Sequence, residues 1–96
     1  MSVKELSLVE AEARQILKAL SSATHLKILQ LLSQDQLDIS TIAARLNLSE
    51  PTVSEGVKQL ERLQLVKTSY AAGKRGIRKV CELAIEKLIL TFTGRA

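Results

Sequence analysis

The stretch Ile39–Leu63, ISTIAARLNLSEPTVSEGVKQLERL, reads as two short helices joined by a tight corner. In its first half Ser40 is placed to cap a helix whose apolar positions Ile42, Ala43 and Leu46 keep helical spacing, and Ala43 is small enough for another helix to cross closely. That helix stops near Asn47, because Asn tolerates the left-handed backbone of a sharp helix exit second only to Gly. The chain therefore turns at Leu46-Asn47-Leu48. Ser49 then offers a side-chain oxygen to orphan amides, Glu50 suits the positive end of a helix, and Pro51 lies in the first turn, where a missing N–H costs little. Leu48 and Val53 occupy the two positions of a hydrophobic staple, which fixes the angle between the helices.

From Val53 onward, Val57, Leu60 and Leu63 continue one apolar stripe, so Thr52, Ser54, Glu55, Lys58, Gln59 and Arg62 face outward. An outward face of hydroxyl, amide and basic groups suits the edges of bases in a DNA major groove. Capped helix, three-residue corner and capped helix together form a helix-turn-helix. Paired amphipathic helices also occur in proteins that never touch DNA, so the flanking sequence decides between the two uses.

The 96 residues make one domain with a single core, filled almost wholly by aliphatic side chains because Tyr70 and Phe92 are the only aromatics. So few rings argue against a stacking platform for single-stranded nucleic acid, which would want several exposed rings. No apolar run approaches the roughly 20 residues of a membrane span, and the start MSVKELSLVEAEAR carries acidic residues and no apolar signal core. A soluble, cytoplasmic protein with no membrane partner is expected. Net charge is +4 and unevenly spread: residues 1–48 hold five basic and five acidic groups, residues 49–96 nine and five. The positive half suits phosphates and leaves the other half for a different contact. Cys81 is alone, which excludes an intramolecular disulfide and a cysteine-rich zinc site and makes it a candidate buried strand residue.

Towards the N-terminus, Val3, Leu6, Val9, Ala13, Ile16, Leu17 and Leu20 recur at helical spacing, predicting one long helix over 3–20. After Ser21-Ser22, Leu26, Ile28, Leu29, Leu31 and Leu32 surround a second helix, as in a buried central element. Gln34-Asp35-Gln36 loops out and Leu37-Asp38-Ile39 extends briefly. Beyond Arg62 the period changes: 65–70 and 77–83 read as strands of a hairpin, with a glycine-bounded turn at 71–76. Lys74, Arg75, Arg78 and Lys79 place a basic cluster on that hairpin, over 71–79, where it can reach a phosphate backbone or minor groove. The tail 84–93 fits a short helix or a strand through Ile85, Leu88, Ile89 and Phe92, and in either form leaves apolar surface for a partner. The basic end Thr93-Gly94-Arg95-Ala96 suits a complete protein or one domain of a longer one.

An enzyme is not expected. His25 is the only histidine, at the start of the second helix, where it serves as a cap or packing residue, and Gly73 and Gly76 lack the strand-loop-helix setting of a phosphate-binding loop. A module that docks proteins, or a non-specific coat on DNA, is the alternative, but a docking wing has no need of four cations together.

Helix, buried helix, helix-turn-helix and basic hairpin in this order look like a winged helix-turn-helix. The stretch ALSSATHLKILQLL (19–32) with ISTIAARLNLSEPTVSEGVKQLERLQLVKT (39–68) is similar to the arsenic-repressor (ArsR-type) family of prokaryotic transcription regulators. In that family the buried helix opens with a small-residue, Thr and basic signature, and the recognition helix reads Leu-Ser-x-x-Thr-Val-Ser. Leu48, Ser49, Thr52, Val53 and Ser54 match this motif, and the resemblance covers roughly residues 15–83. It implies a homodimer joined through its terminal helices, reading a palindromic operator with half-sites about one helical turn apart. The dimer surface would then comprise Val3, Leu6, Val9, Ala13, Leu88 and Phe92.

Towards DNA, Ser49, Thr52, Ser54, Glu55, Lys58 and Gln59 would approach base edges or adjacent phosphates. Arg62, Lys67, Lys74, Arg75, Arg78 and Lys79 would neutralise phosphates. Two departures stand out. The family's metal sites use cysteine pairs near the first helix of the motif or His-carboxylate sets near the last helix. Here Asp38–Ile42 offers no thiol and Glu82 and Glu86 have no His beside them, so no metal or other cofactor is expected. Glu55 replaces a commonly basic residue, and Gly56 costs about 1 kcal/mol of helix propensity relative to Ala. The expected architecture is therefore mainly α with a small β-hairpin, in a single domain over 1–96.

Overall fold

The computed structural model describes residues 2–92, so the basic end Thr93–Ala96 and the last position of the 84–93 tail lie outside the described residues. The chain runs β1 (Val3–Ser7), α1 (Ala11–Leu20), α2 (Ala23–Leu32), β2 (Leu37–Asp38), α3 (Ile39–Leu46), α4 (Glu50–Arg62), β3 (Val66–Gly73), β4 (Gly76–Leu83) and β5 (Lys87–Thr91). The three-stranded sheet has the order β2-β4-β3 and is antiparallel, while β1 and β5 pair in parallel as a separate sheet. The mainly α fold with its projecting hairpin is the one expected. Among the described residues no helix is long and apolar enough to cross a membrane.

The corner forms as its residues dictate. Asn47 takes the left-handed conformation, φ 55° and ψ 46°, which turns the chain while the Leu48 N–H still reaches the Ala43 carbonyl at 2.9 Å. Ser49 is the N-cap of α4, its hydroxyl accepting from the Thr52 N–H at 3.2 Å, and Pro51 sits in the first turn. Val53, Val57 and Leu60 of α4 are fully buried, with Leu48 and Leu63 at the margin of the same cluster.

The cap of α3 is a correction: Asp38, not Ser40, takes the position. Its carboxylate accepts from the Thr41 N–H at 2.8 Å, and Ser40, already inside the helix, donates to the same carboxylate at 3.3 Å. Pairing with Val80 in the sheet holds Asp38 in the extended conformation that an N-cap requires. Hydrogen bonds from the Thr41 side chain and backbone, aided by Arg78 and Ser40, outweigh partial desolvation and hold the Asp38 carboxyl below its ordinary 3.8. A lowered folded-state pKa means that this stabilisation is complete above 3.8 and is lost as pH falls through the lower folded value. Melting temperatures of wild type and Asp38→Asn should therefore differ near neutral pH and converge as pH drops below 3.8. A gap that stays constant into acid would remove the carboxylate charge from the cap's contribution.

The N-terminus departs from expectation. In place of one helix over 3–20 the chain forms β1, a turn at 7–10 and a shorter α1. Glu10 closes that turn, accepting from the Ser7 N–H at 3.0 Å through its carboxylate while its own N–H reaches the Ser7 carbonyl. Val3, Leu6 and Val9 consequently share no helical face with Ala13. Leu6 and Ala13, 5% and 0% exposed, belong to the chain's own core and are closed to a second copy, whereas Val3 and Val9 remain exposed. The ambiguous tail resolves to strand, its residues 87–91 pairing one for one with residues 3–7.

The central helix is less enclosed than its composition suggests: Ile28 and Leu32 are buried, Leu29 and Leu31 half-buried, and Leu26 exposed. His25 packs inside, its Nδ1 2.7 Å from the Ala19 carbonyl, while Ser22 caps the helix. Cys81 is buried in β4, where desolvation pushes its thiol up to about 11 and leaves it protonated and inert at neutral pH.

Candidate nucleic-acid interface

Helix α4 buries its apolar stripe and leaves Ser49, Thr52, Glu55, Lys58, Gln59 and Arg62 exposed, with Ser54 half-buried. The first turn is chemically organised. The Ser49 hydroxyl donates to Thr52 Oγ1 at 2.7 Å, which leaves the Thr52 proton free to donate outward. One turn on, Gln59 Nε2 donates to Glu55 Oε1 at 3.5 Å, so the carboxylate and the amide carbonyl stand side by side as acceptors. The front of α4 therefore offers a hydroxyl donor, two acceptors and the uncommitted cations Lys58 and Arg62.

The hairpin of β3 and β4 runs in continuous register from Val66↔Leu83 to Gly73↔Gly76, which leaves Lys74 and Arg75 as a two-residue tip. Gly76 takes φ +113°, a conformation that a β-carbon would strain, and so lets the strand return tightly. Gly73 is bare for a different reason: a β-carbon there would lie 2.8 Å from Arg78 Cγ, so the Arg78 stem crosses its face.

Charge on the wing divides into free and held groups. Arg78 Nη1 bonds Asp38 Oδ2 at 3.1 Å, Lys79 Nζ lies 3.7 Å from Glu61, and Lys67 Nζ lies 3.6 Å from Glu82. Glu61 also accepts from the Thr68 hydroxyl, so one carboxylate on α4 ties down both strands of the wing. Among the described residues Lys74, Arg75, Lys58 and Arg62 form no ion pair. Asp38 and Glu61 are the residues that sequence reading missed. Their partners lie 40 and 18 positions away, and no local pattern announces them. An open groove between Ser40 and the wing residues Ala72–Arg78 separates the start of α3 from the tip. Among the described residues no three His, Cys, Asp or Glu side chains gather as a metal would need.

A family model for bacterial regulatory proteins of the arsR family matches residues 22–68, from the cap of α2 into β3. The reduced form of HlyU from Vibrio cholerae N16961 is 30% identical, with a TM-score of 0.68, over 77% of this chain and 74% of that one. The chain belongs to the ArsR family. Other solved structures agree with this membership. Mb0332 from Mycobacterium bovis, a possible ArsR-family regulator whose fragment 1–100 is described as a homodimeric winged helix-turn-helix DNA-binding domain, is 26% identical. Its TM-score is 0.66, over 76% of this chain and 64% of that chain. NolR from Sinorhizobium fredii, 21% identical, shares the fold with a TM-score of 0.68 over 78% and 71% of the two chains. No match was found among curated proteins. Family and architecture are thus those of winged-helix transcriptional regulators, and the ArsR match spans α2, α3, α4 and the root of the wing.

Proposed function

We propose that this chain binds double-stranded DNA sequence-specifically as a homodimer, with α4 in the major groove and the wing on the flanking backbone or minor groove. One observation carries the reading. The helix that exposes Thr52, Glu55, Lys58 and Gln59 also contacts both strands of the wing through Glu61, which joins the base-reading groups to the hairpin that ends in Lys74–Arg75. Thr52, Ser54 and Gln59 read base edges, and Glu55 accepts from a cytosine amine. Ser49 organises the first turn and approaches an adjacent phosphate. Lys58, Arg62, Lys74 and Arg75 supply phosphate contacts, while Arg78, Lys79 and Lys67 chiefly hold the wing in place. The protein acts as a regulator in the cytoplasm, without catalysis, metal or cofactor, and the homology of Mb0332, a homodimeric domain, supports the two-fold arrangement.

Selection of bound fragments from a random duplex library at about 150 mM salt, where phosphate contacts alone hold weakly, tests the proposal. Enrichment of an inverted repeat with half-sites about one helical turn apart is expected. No enrichment would replace this reading with a protein-docking module or a non-specific DNA coat.

A further inference from the structure

The tail forms a strand in place of the C-terminal helix implied by resemblance, so the surface it offers a second copy is a sheet edge. Parallel pairing of Lys4 with Leu88 and Leu6 with Leu90 puts these four on one face. That face lies on the body of the domain: Leu6 is buried, and Lys4 pairs with Glu12 of α1 at 3.0 Å. Val3, Glu5, Lys87 and Ile89 make the opposite, exposed face. Among the described residues strand β5 bonds only β1, so its far edge offers backbone N–H and C=O groups to any further strand. Leu88 and Leu90 pack on the core yet remain only half-buried at that edge.

We propose that β5 pairs antiparallel with β5 of a second copy about a two-fold axis at Ile89, giving a four-stranded sheet in the order β1-β5-β5-β1. The proposal rests on the homodimeric reading above and names the surface that joins it. Self-pairing at this register sets Ile89 against Ile89, Leu88 against Leu90, and Lys87 against the uncharged Thr91. The apolar pairs finish covering the half-exposed leucines, and no like charges meet. Phe92, 84% exposed just past β5, falls beside the start of the second copy's β5. The other free edge fails the same test, because β1 paired along its length with its own copy opposes Glu5 to Glu5. Pairing β5 with β1 of another copy is head-to-tail and leads to rings or open chains of molecules instead of a two-fold dimer.

Residues facing each other across antiparallel strands have Cα atoms about 4.5–5.5 Å apart, within disulfide reach. Mild oxidation of Ile89→Cys should therefore give a covalent dimer at least tenfold faster than oxidation of Glu5→Cys on β1 or Leu17→Cys on α1. Cys81 is buried and does not compete. As a second arm, Ile89→Lys sets two cations on the axis and should raise the dimer dissociation constant at least tenfold with an unchanged circular-dichroism spectrum. Wild-type protein that is dimeric by light scattering, with no Ile89→Cys bridge or with faster bridging at Glu5→Cys or Leu17→Cys, overturns this seam alone. Undiminished dimerisation of Ile89→Lys does the same. A wild-type chain that is monomeric at the concentrations used overturns both the seam and the homodimeric reading.

Discussion

Gly56→Leu is expected to lower the melting temperature by about 10–20 °C. A β-carbon at position 56 would lie 3.1 Å from Ile28 Cδ1 and 3.4 Å from His25 Cδ2. Neither neighbour has room to retreat, since Ile28 is fully buried and the His25 ring is held at the Ala19 carbonyl. The three further carbons of a leucine must therefore push α4 off α2, an overpacking cost of about 2–3 kcal/mol, which at this chain length converts to about 4–8 °C per kcal/mol. Gly56→Ala sets two opposed terms against each other. Alanine gains about 1 kcal/mol of helix propensity, and crowding of Ile28 by a few tenths of an ångström removes a similar amount, so its melting point should stay near that of wild type. Thermal unfolding followed by circular dichroism measures both. A leucine variant that melts within 2–3 °C of wild type, by the same conversion, would show that the two helices do not meet tightly at this glycine.

The glycine also shows where sequence reading succeeds and where it stops. Its helix-propensity cost was visible beforehand, but the reason lies on α2, some 28 positions earlier at Ile28, where no local pattern points. Signals confined to a few residues were readable: Asn47 as a left-handed exit, Ser49 as a cap and Pro51 in a first turn all act on their own backbone. Ser40 misled because Asp38, two residues earlier, offers the same capping chemistry, and pairing with β4 selects Asp38. The N-terminal segment misled for a related reason. Val3, Leu6, Val9 and Ala13 satisfy a helical period, while the alternation in Val3–Ser7 is too short to stand out. The deciding interaction is with a strand more than 80 residues away. A basic wing was legible as composition, yet which of its charges are free depends on Asp38 and Glu61, brought in from other elements.

That division of charge governs the strongest expected effect on binding: raising salt from 50 to 200 mM should weaken operator binding by about 10⁴-fold. Each phosphate neutralised by a free cation releases condensed counterions, and the logarithm of affinity falls with the logarithm of salt by about 0.9 per contact. Lys58, Arg62, Lys74 and Arg75 carry no ion pair among the described residues. Four such groups per chain give eight per dimer, and a slope of about −7. Lys67, Arg78 and Lys79 bring carboxylates with them, so each pair meets the phosphates as a nearly neutral unit and displaces few ions. Were they to count in full, fourteen contacts would steepen the slope to about −13. The exposed pair of Lys67 is weak, contributing about 0–1 kcal/mol, and that of Lys79 is half-buried; opening either in the complex leaves Glu82 or Glu61 facing the backbone. Binding of a selected operator followed by fluorescence anisotropy across this salt range separates the cases. Lys74→Ala with Arg75→Ala should flatten the slope to about −4 by removing four contacts per dimer. A slope unchanged by that double substitution would place the tip off the DNA, and a wild-type value near −13 would show that the held cations let go of their carboxylates to reach it.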